Sequence, residues 1–156
     1  MGNGINNGMD SAVKFGAGRY RQGRGVLEHC GQEIRRFGKK AYIVSGPRAF
    51  DAVKDRLLPG LTEAGVEFVA EIYDGVCSYE AAEALGKKCL DAGCDEVVGI
   101  GGGVIMDLSK AVAGKAGVGV INIPTSIATC AAFTAMSVMY TPQGAMKDNW
   151  RYEYET

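Results

Sequence analysis

The chain has 156 residues, of which 47% are hydrophobic, so it has the length and apolar content of one domain with a buried core. Its 17 basic and 18 acidic residues leave a formal charge of -1, which gives no electrostatic reason to bind nucleic acid or an anionic membrane. One histidine and five cysteines without CxxC spacing make neither a zinc site nor a disulfide framework, which favours reduced, buried thiols and a cytoplasmic location.

The first residues of the chain are polar and rich in glycine. Residues 1–12 read MGNGINNGMDSA and have no basic region followed by an apolar core, so they do not resemble a signal peptide. We expect a flexible leader over 1–12 and one α/β domain over 13–156. A membrane helix is not expected, because Pro124 and several polar residues interrupt the charge-free run between Lys115 and Lys147.

Short β-like runs alternate with helix-like runs along the middle of the chain. Apolar spacing predicts strands at 41–44, 66–73, 96–100 and 119–123. The helices between them are expected to end at Ala64-Gly65, at Ala92-Gly93 after an N-cap at Ser78, and near Ala113. This order predicts a mostly parallel, Rossmann-like sheet with helices on both faces, followed by a β-hairpin that runs from SVMYT to the tail WRYEYET.

Three consecutive glycines lie between the third strand and the third helix, in the stretch GIGGGVIMDLSKA. They form either a plain tight turn or a backbone that approaches a phosphate closely, since a helix N-terminus attracts anions. The G-x-G-x-x-G fingerprint fails here because Val104 takes its last glycine position. Val104, Ile105, Leu108 and Val112 are expected to pack on the sheet. Asp107 is then left either to accept hydrogen bonds from sugar hydroxyls or an amide, or to form a surface ion pair with Lys110.

The stretch GIGGGVIMDLSKAVA, followed by VINIPTSIATCAAFTAMSVMYT, resembles the amino-terminal half of the glycerol dehydrogenase-type enzymes of the iron-containing alcohol dehydrogenase superfamily. The resemblance implies that NAD or NADP is the cofactor and that the glycine turn holds its pyrophosphate. It implies a phosphate role for Gly101, Gly102, Gly103 and Val104, and a contact of Asp107 with the sugar and phosphate region. It also implies that the adenine and nicotinamide channel is lined by Thr125, Ser126, Ala128, Thr134, Met136 and Tyr140.

Two positions depart from the glycerol dehydrogenase pattern. Gly46 stands where the family carries an acid that reads the ribose, so NADP should be tolerated, unless Ser45 to Arg48 is only a strand-to-helix turn. Cys130 stands where glycerol dehydrogenases carry a substrate-binding aspartate. A neutral side chain there, together with the sequence ATCAAFTAMSVMY, favours a branch of the family that acts on 2-oxo or 2-hydroxy acids over a branch that acts on a polyol. The alternative is that Cys130 is simply a buried thiol.

The resemblance also implies a second, helical domain in which an Asp and two His hold Zn²⁺ or Fe²⁺. These 156 residues are expected to lack that domain and its metal ligands, and His29 is expected to be a surface or packing residue of an amphipathic helix. We therefore expect the cofactor-binding half of an NAD(P)- and metal-dependent oxidoreductase, inactive alone and self-associating as a homo-oligomer. A non-catalytic dinucleotide-binding module is the alternative. A dehydroquinate-synthase-like lyase is less favoured, since the run after Pro124 lacks basic residues.

Overall fold

The computed structural model describes residues 16–153, so the leader expected over 1–12 lies outside the described residues. Helices and strands alternate along most of this range. In chain order they are α1 (Val26–Ile34), β1 (Lys40–Ser45), α2 (Pro47–Glu63), β2 (Glu67–Ile72), α3 (Tyr79–Asp91), β3 (Glu96–Gly101), α4 (Gly103–Ala116), β4 (Gly119–Pro124), β5 (Met136–Tyr140) and β6 (Met146–Arg151).

The first four strands form one parallel sheet in the order β2-β1-β3-β4, and β5 pairs with β6 in an antiparallel hairpin. The predicted fold class is therefore confirmed. The return strand of the hairpin begins at Met146 rather than within WRYEYET, because a tight turn pairs Tyr140 with Met146. Gly144 supplies the left-handed backbone of that turn with a φ of 87°.

Helices cover both faces of the parallel sheet, and alternate residues of each strand face opposite cores. Ala41 and Ile43 of β1 pack in the same cluster as the buried side chains of α1 and α2. Tyr42 and Val44 pack instead with the buried side chains of α3 and α4. This two-sided burial is the reason that the central strands read as continuous apolar runs rather than as alternating ones. Within residues 16–153, no helix combines the length and apolarity that a bilayer crossing requires.

Helices α2 and α3 end where the sequence predicts, at Glu63 and Asp91, whereas α4 continues past the expected end near Ala113 to Ala116, because Gly117 supplies the left-handed residue that ends it. Ser78 is the N-cap of α3, and its hydroxyl oxygen accepts a hydrogen bond from the Ala81 N–H at 3.1 Å. Helix α1 carries His29 on its exposed side, as expected for a surface residue. Local capping signals thus determine the helix ends at the surface of the fold, and burial on both faces determines the strands at its centre.

The cysteines are free thiols, and Cys77, Cys89 and Cys94 are buried. Burial raises the pKa of Cys77 and Cys89 to about 12 and that of Cys30 to about 11, so these groups are not thiolates at neutral pH. The expectation of buried thiols is wrong for Cys130, which is exposed because it lies in the loop between β4 and β5.

Glu96 is a buried acid at the amino end of β3, far from the strand ends where ligands bind in such sheets. Neither carboxylate oxygen has a hydrogen-bond partner among residues 16–153. Burial, with a smaller contribution from the negative charge of Asp95, raises the pKa of Glu96 to about 8. The folded state therefore keeps a proton that an unfolded glutamate releases near pH 4.5.

The contribution of this bound proton to the free energy of unfolding should consequently be fully present below about pH 4.5. It should fall as the pH rises above that value and be lost as the pH passes about 8. We expect Glu96→Gln, which has no proton to lose, to raise the free energy of unfolding by roughly 3–5 kcal/mol near pH 9 and to leave it almost unchanged near pH 4. Urea unfolding at both pH values measures the effect. Glu67→Gln, on an exposed side chain of β2, is the control and should change stability little at either pH. An equal gain at both pH values would contradict the burial of an ionisable carboxyl.

Candidate functional site

The strand order places a topological switch point between β1 and β3. From β1 the chain moves to β2 on one side, and from β3 it moves to β4 on the other. In an open parallel sheet, ligands bind outside the carboxyl ends of the strands at such a point. The two carboxyl ends are joined here by the buried Ser45, whose hydroxyl donates to the Ile100 carbonyl oxygen at 2.9 Å. Gly46 and the glycine turn follow directly.

The glycines of this turn have different physical causes. A Cβ on Gly101 would lie 2.8 Å from the Cβ of Ile105, so this glycine allows α4 to pack closely on β3. Apart from its chain neighbours, no atom of residues 16–153 would lie within 4 Å of a Cβ on Gly102. Packing therefore explains Gly101 but not Gly102, which leaves an open approach to the backbone at the second position.

Helix α4 begins at Gly103, with Gly102 as an N-cap that offers no side-chain hydrogen bond. The first amide groups of a helix have no partner within it, and the helix dipole adds partial positive charge at this end. Both effects favour an anion such as a phosphate. The expectation that Val104 packs on the sheet is wrong, because 47% of Val104 is exposed beside this turn. Ile105, Leu108 and Val112 are buried as expected.

The loop after β4 lies against the glycine turn. The Thr125 N–H donates to the Gly101 carbonyl oxygen at 2.9 Å, and a Cβ on Gly103 would lie 3.4 Å from the Thr129 hydroxyl. The structure thus brings the two predicted parts of the site together. Four predicted residues of this loop are exposed, namely Thr125, Ser126, Ala128 and Cys130. The alternative that Cys130 faces the core is therefore wrong.

Asp107 and Lys110 form a buried ion pair rather than a surface pair. Lys110 has no exposed surface, and its Nζ lies 3.0 Å from Oδ1 of Asp107. The other oxygen of Asp107 accepts a hydrogen bond from the Val138 N–H at 3.0 Å. Burial lowers the pKa of Lys110, while the Asp107 carboxylate opposes that shift. The carboxylate thus holds β5 on α4, and its predicted contact with a cofactor stays a prediction.

The remaining predicted residues differ in how firmly the structure joins them to the turn. Among residues 16–153, a Cβ on Gly46 would come within 4 Å of Ile105 alone, at 3.9 Å, so packing does not require glycine there. The carbonyl oxygens of Thr134 and Met136 both accept hydrogen bonds from Lys110, which ties them to α4. Tyr140 lies four residues beyond Met136 on β5, about 13 Å further along the strand.

Besides the glycine turn, the molecule offers a groove and side chains of types that can ligate a metal. A large groove along α1 and β4 includes Thr125 but none of the other predicted site residues. Across residues 16–153, no group of three His, Cys, Asp or Glu side chains is placed to hold a metal ion. A Zn²⁺ or Fe²⁺ site therefore does not fit the residues described, whereas the glycine turn fits a diphosphate.

The parallel sheet and the glycine turn at its switch point define a Rossmann-like α/β domain. The chain belongs to the iron-containing alcohol dehydrogenase family, whose sequence profile matches residues 17–154. The resemblance drawn from the motifs is thereby confirmed.

Characterised relatives support the same assignment. The chain is 37% identical over 131 residues to glycerol dehydrogenase of Thermotoga maritima, which covers 83% of this chain and 35% of the relative. It is 34% identical over 107 residues to hydroxycarboxylate dehydrogenase A of Escherichia coli K12, which covers 67% of this chain and 28% of the relative. A solved glycerol dehydrogenase of Schizosaccharomyces pombe shares the fold, with a TM-score of 0.80 at 24% identity over 91% of this chain and 36% of that one. The chain thus spans about a third of the length of these proteins.

Proposed function

We propose that this domain binds NAD(H) or NADP(H) for an oxidoreductase that acts on the CH–OH group of a polyol or a 2-hydroxy acid. The observation that carries the proposal is the open backbone at Gly102 beside the uncapped N-terminus of α4, at the switch point of the sheet. A diphosphate at this place would meet amide donors and positive helix charge without a side chain in the way. Membership of the iron-containing alcohol dehydrogenase family supports the same ligand.

The cofactor would lie across the two segments that the structure joins. Its pyrophosphate would rest on the amides at Gly102, Gly103 and Val104, and the exposed loop from Thr125 to Ala128 would border the adenosine part. Thr134 and Met136 would border the nicotinamide part. In this arrangement the nicotinamide cofactor carries the hydride, and the protein supplies binding and orientation.

Titration calorimetry of the 156-residue chain with NADH and with ADP tests the proposal. We expect saturable binding of both ligands, with NADH the tighter because it adds contacts beyond the diphosphate. Adenosine, which lacks the diphosphate, is the control and should bind more weakly than ADP. Absence of binding by both NADH and ADP to the folded chain would refute the proposed function.

Cys130 bears on the class of substrate. Its exposed, neutral side chain stands where the glycerol dehydrogenase pattern has an aspartate, and an aspartate would repel the carboxylate of a 2-oxo or 2-hydroxy acid. The relative named hydroxycarboxylate dehydrogenase favours the acid, and the relative named glycerol dehydrogenase favours the polyol. The proposal covers both substrates and places the acid first on the charge argument.

Gly46 leads to a prediction about the second phosphate of NADP(H). Space for a side chain is free there, and Arg48 lies exposed two residues on. We expect NADPH to bind at least as tightly as NADH, and Gly46→Asp to weaken NADPH binding by about tenfold through charge repulsion, with NADH little affected.

Calorimetry with both dinucleotides measures this preference. Gly119→Asp adds the same charge at the opposite edge of the sheet, where a Cβ would meet no atom of residues 16–153 within 4 Å beyond its chain neighbours, and should leave both affinities unchanged. Tenfold tighter binding of NADH than of NADPH by the unsubstituted chain would contradict the prediction.

The proposal also includes a location and an assembly state. Reduced thiols suit the cytoplasm, where glutathione keeps cysteines free. Self-association is included because β4 is an edge strand of the sheet without a charged residue, and such edges pair readily with other chains.

A further inference from the structure

Lys110 is the most completely buried charged side chain near the candidate site, with no exposed surface. Its Nζ donates hydrogen bonds to the carbonyl oxygens of Ala131 and Thr134, each at 2.9 Å, and to that of Met136. Oδ1 of Asp107 lies 3.0 Å away and balances the charge. An ammonium has three N–H donors, so three backbone carbonyls of one short segment use its full capacity.

The segment held in this way has little regular structure of its own. Between the end of β4 and the start of β5 the chain forms turns and bends. Lys110 binds the carbonyl oxygens of Ala131 and Thr134 there, and that of Met136 at the first residue of β5. Asn122 adds one more bond, from its side-chain amide to the Ala132 carbonyl oxygen at 3.1 Å. The conformation of residues 131–136 is therefore set largely by a side chain of α4.

The same helix begins at the glycine turn. Lys110 lies seven residues after Gly103, about two helical turns along α4. Asp107, between the two, holds the Val138 N–H, and the Ser137 hydroxyl donates to the Asp107 carbonyl oxygen at 2.9 Å. One rigid helix thus carries both the phosphate-binding amides and the anchor of the loop that would face the nicotinamide.

We propose that Lys110 is a positioning residue for dinucleotide binding, one that fixes the segment 131–136 at a set place relative to the glycine turn. This inference rests on the proposed function, since it assigns the turn to the diphosphate and the segment to the nicotinamide half. A dinucleotide needs both places at the correct separation, whereas ADP needs the turn and its neighbour Thr125, which is bonded to Gly101 rather than to Lys110.

Lys110→Met tests the inference because methionine fills a similar volume without donating a hydrogen bond. NADH and ADP are titrated into the folded variant and into the unsubstituted chain, and folding is checked by circular dichroism and urea unfolding. We expect NADH affinity to fall by about tenfold or more and ADP affinity to stay within about twofold. Lys115→Met, on the exposed side of the same helix, removes the same charge and should leave both affinities unchanged.

A loss of NADH affinity that equals the loss of ADP affinity would overturn the inference, and so would unchanged binding of both. If Lys110→Met does not fold, Lys110→Gln keeps a shorter donor that cannot reach all three carbonyls and should show the same split. Failure of both variants to fold, with Lys115→Met folded, would assign Lys110 to the stability of the domain alone and overturn the role in binding. Absence of NADH and ADP binding by the unsubstituted chain would refute the proposed function instead.

Discussion

Gly102→Ala is expected to weaken NADH binding by at least about tenfold while the free energy of unfolding changes by less than about 1 kcal/mol. The backbone at this residue is extended, with a φ of -89°, so alanine fits its conformation. Within the described part of the chain, the added methyl group meets no atom within 4 Å beyond its chain neighbours, so it would occupy space open to a ligand. A small loss of N-capping and a small gain from restricting the unfolded chain nearly cancel. Calorimetry and urea unfolding measure the two quantities.

The neighbouring glycine supplies a matched control. Alanine at Gly101 would place its Cβ 2.8 Å from the Cβ of the buried Ile105, so α4 must shift or Ile105 must move. Such overpacking costs about 1–3 kcal/mol of stability. We therefore expect Gly101→Ala to lower stability and Gly102→Ala to lower binding. Unchanged NADH affinity in Gly102→Ala would show that the pyrophosphate does not rest on this turn.

Most of the fold could be predicted from the sequence because its strands are buried on both faces. Runs such as AYIV in β1 need not alternate apolar with polar residues, because helices cover both faces of the sheet. Glycine, proline and serine residues after such runs mark their ends. The cap at Ser78 is a local hydrogen bond and was correspondingly predictable. The return strand of the hairpin was placed too late, because its early part carries Lys147, Asp148 and Asn149 and lacks apolar alternation.

The site was only partly predictable, since helix α4 lacks a clear polar face. Nine consecutive residues of α4, from Ile105 to Ala113, are buried, so periodicity could not show that Val104 would be exposed or that Lys110 would be enclosed. That outcome depends on where the loop after β4 packs, which is a tertiary feature. A lysine three residues after an aspartate within an otherwise apolar helix was the one available signal, and it also fits a surface pair.

The resemblance implies what the physics of the turn cannot, namely that the expected anion is the pyrophosphate of NAD or NADP. A glycine turn at a helix N-terminus fits many phosphates equally well. The pairing of GGGVIMD with the PTSIATC loop and SVMYT narrows the range of expected anions to the pyrophosphate of a dinucleotide. The structure brings the turn and the loop into contact through a hydrogen bond from Thr125 to Gly101. Family membership therefore rests on sequence, while the approach to the backbone rests on geometry.

Turnover is where the largest effect is expected. Transfer of a hydride to a carbonyl builds negative charge on its oxygen, and in the family resemblance a metal ion held by an Asp and two His meets that charge. The 156 residues contain one histidine, His29, which lies exposed on α1. A chain without such an electrophile would lack several kcal/mol of transition-state stabilisation, on the order of a thousandfold or more in rate.

We accordingly expect the 156-residue chain to bind NADH, with a rise in thermal unfolding temperature, and yet to show no dehydrogenase activity. The assay follows NADH absorbance with glycerol and NAD, and with a 2-oxo acid and NADH, each with and without added Zn²⁺ or Fe²⁺. A longer relative such as the Thermotoga maritima glycerol dehydrogenase is the positive control for glycerol. Binding without turnover would separate cofactor binding from hydride transfer. The glycine turn of this domain would then suffice to bind NADH, whereas the charge on the reacting oxygen would require an electrophile outside the described residues. Metal-stimulated turnover by this chain alone would overturn the argument, since it would require a metal site among side chains that, over residues 16–153, form no cluster of three ligands.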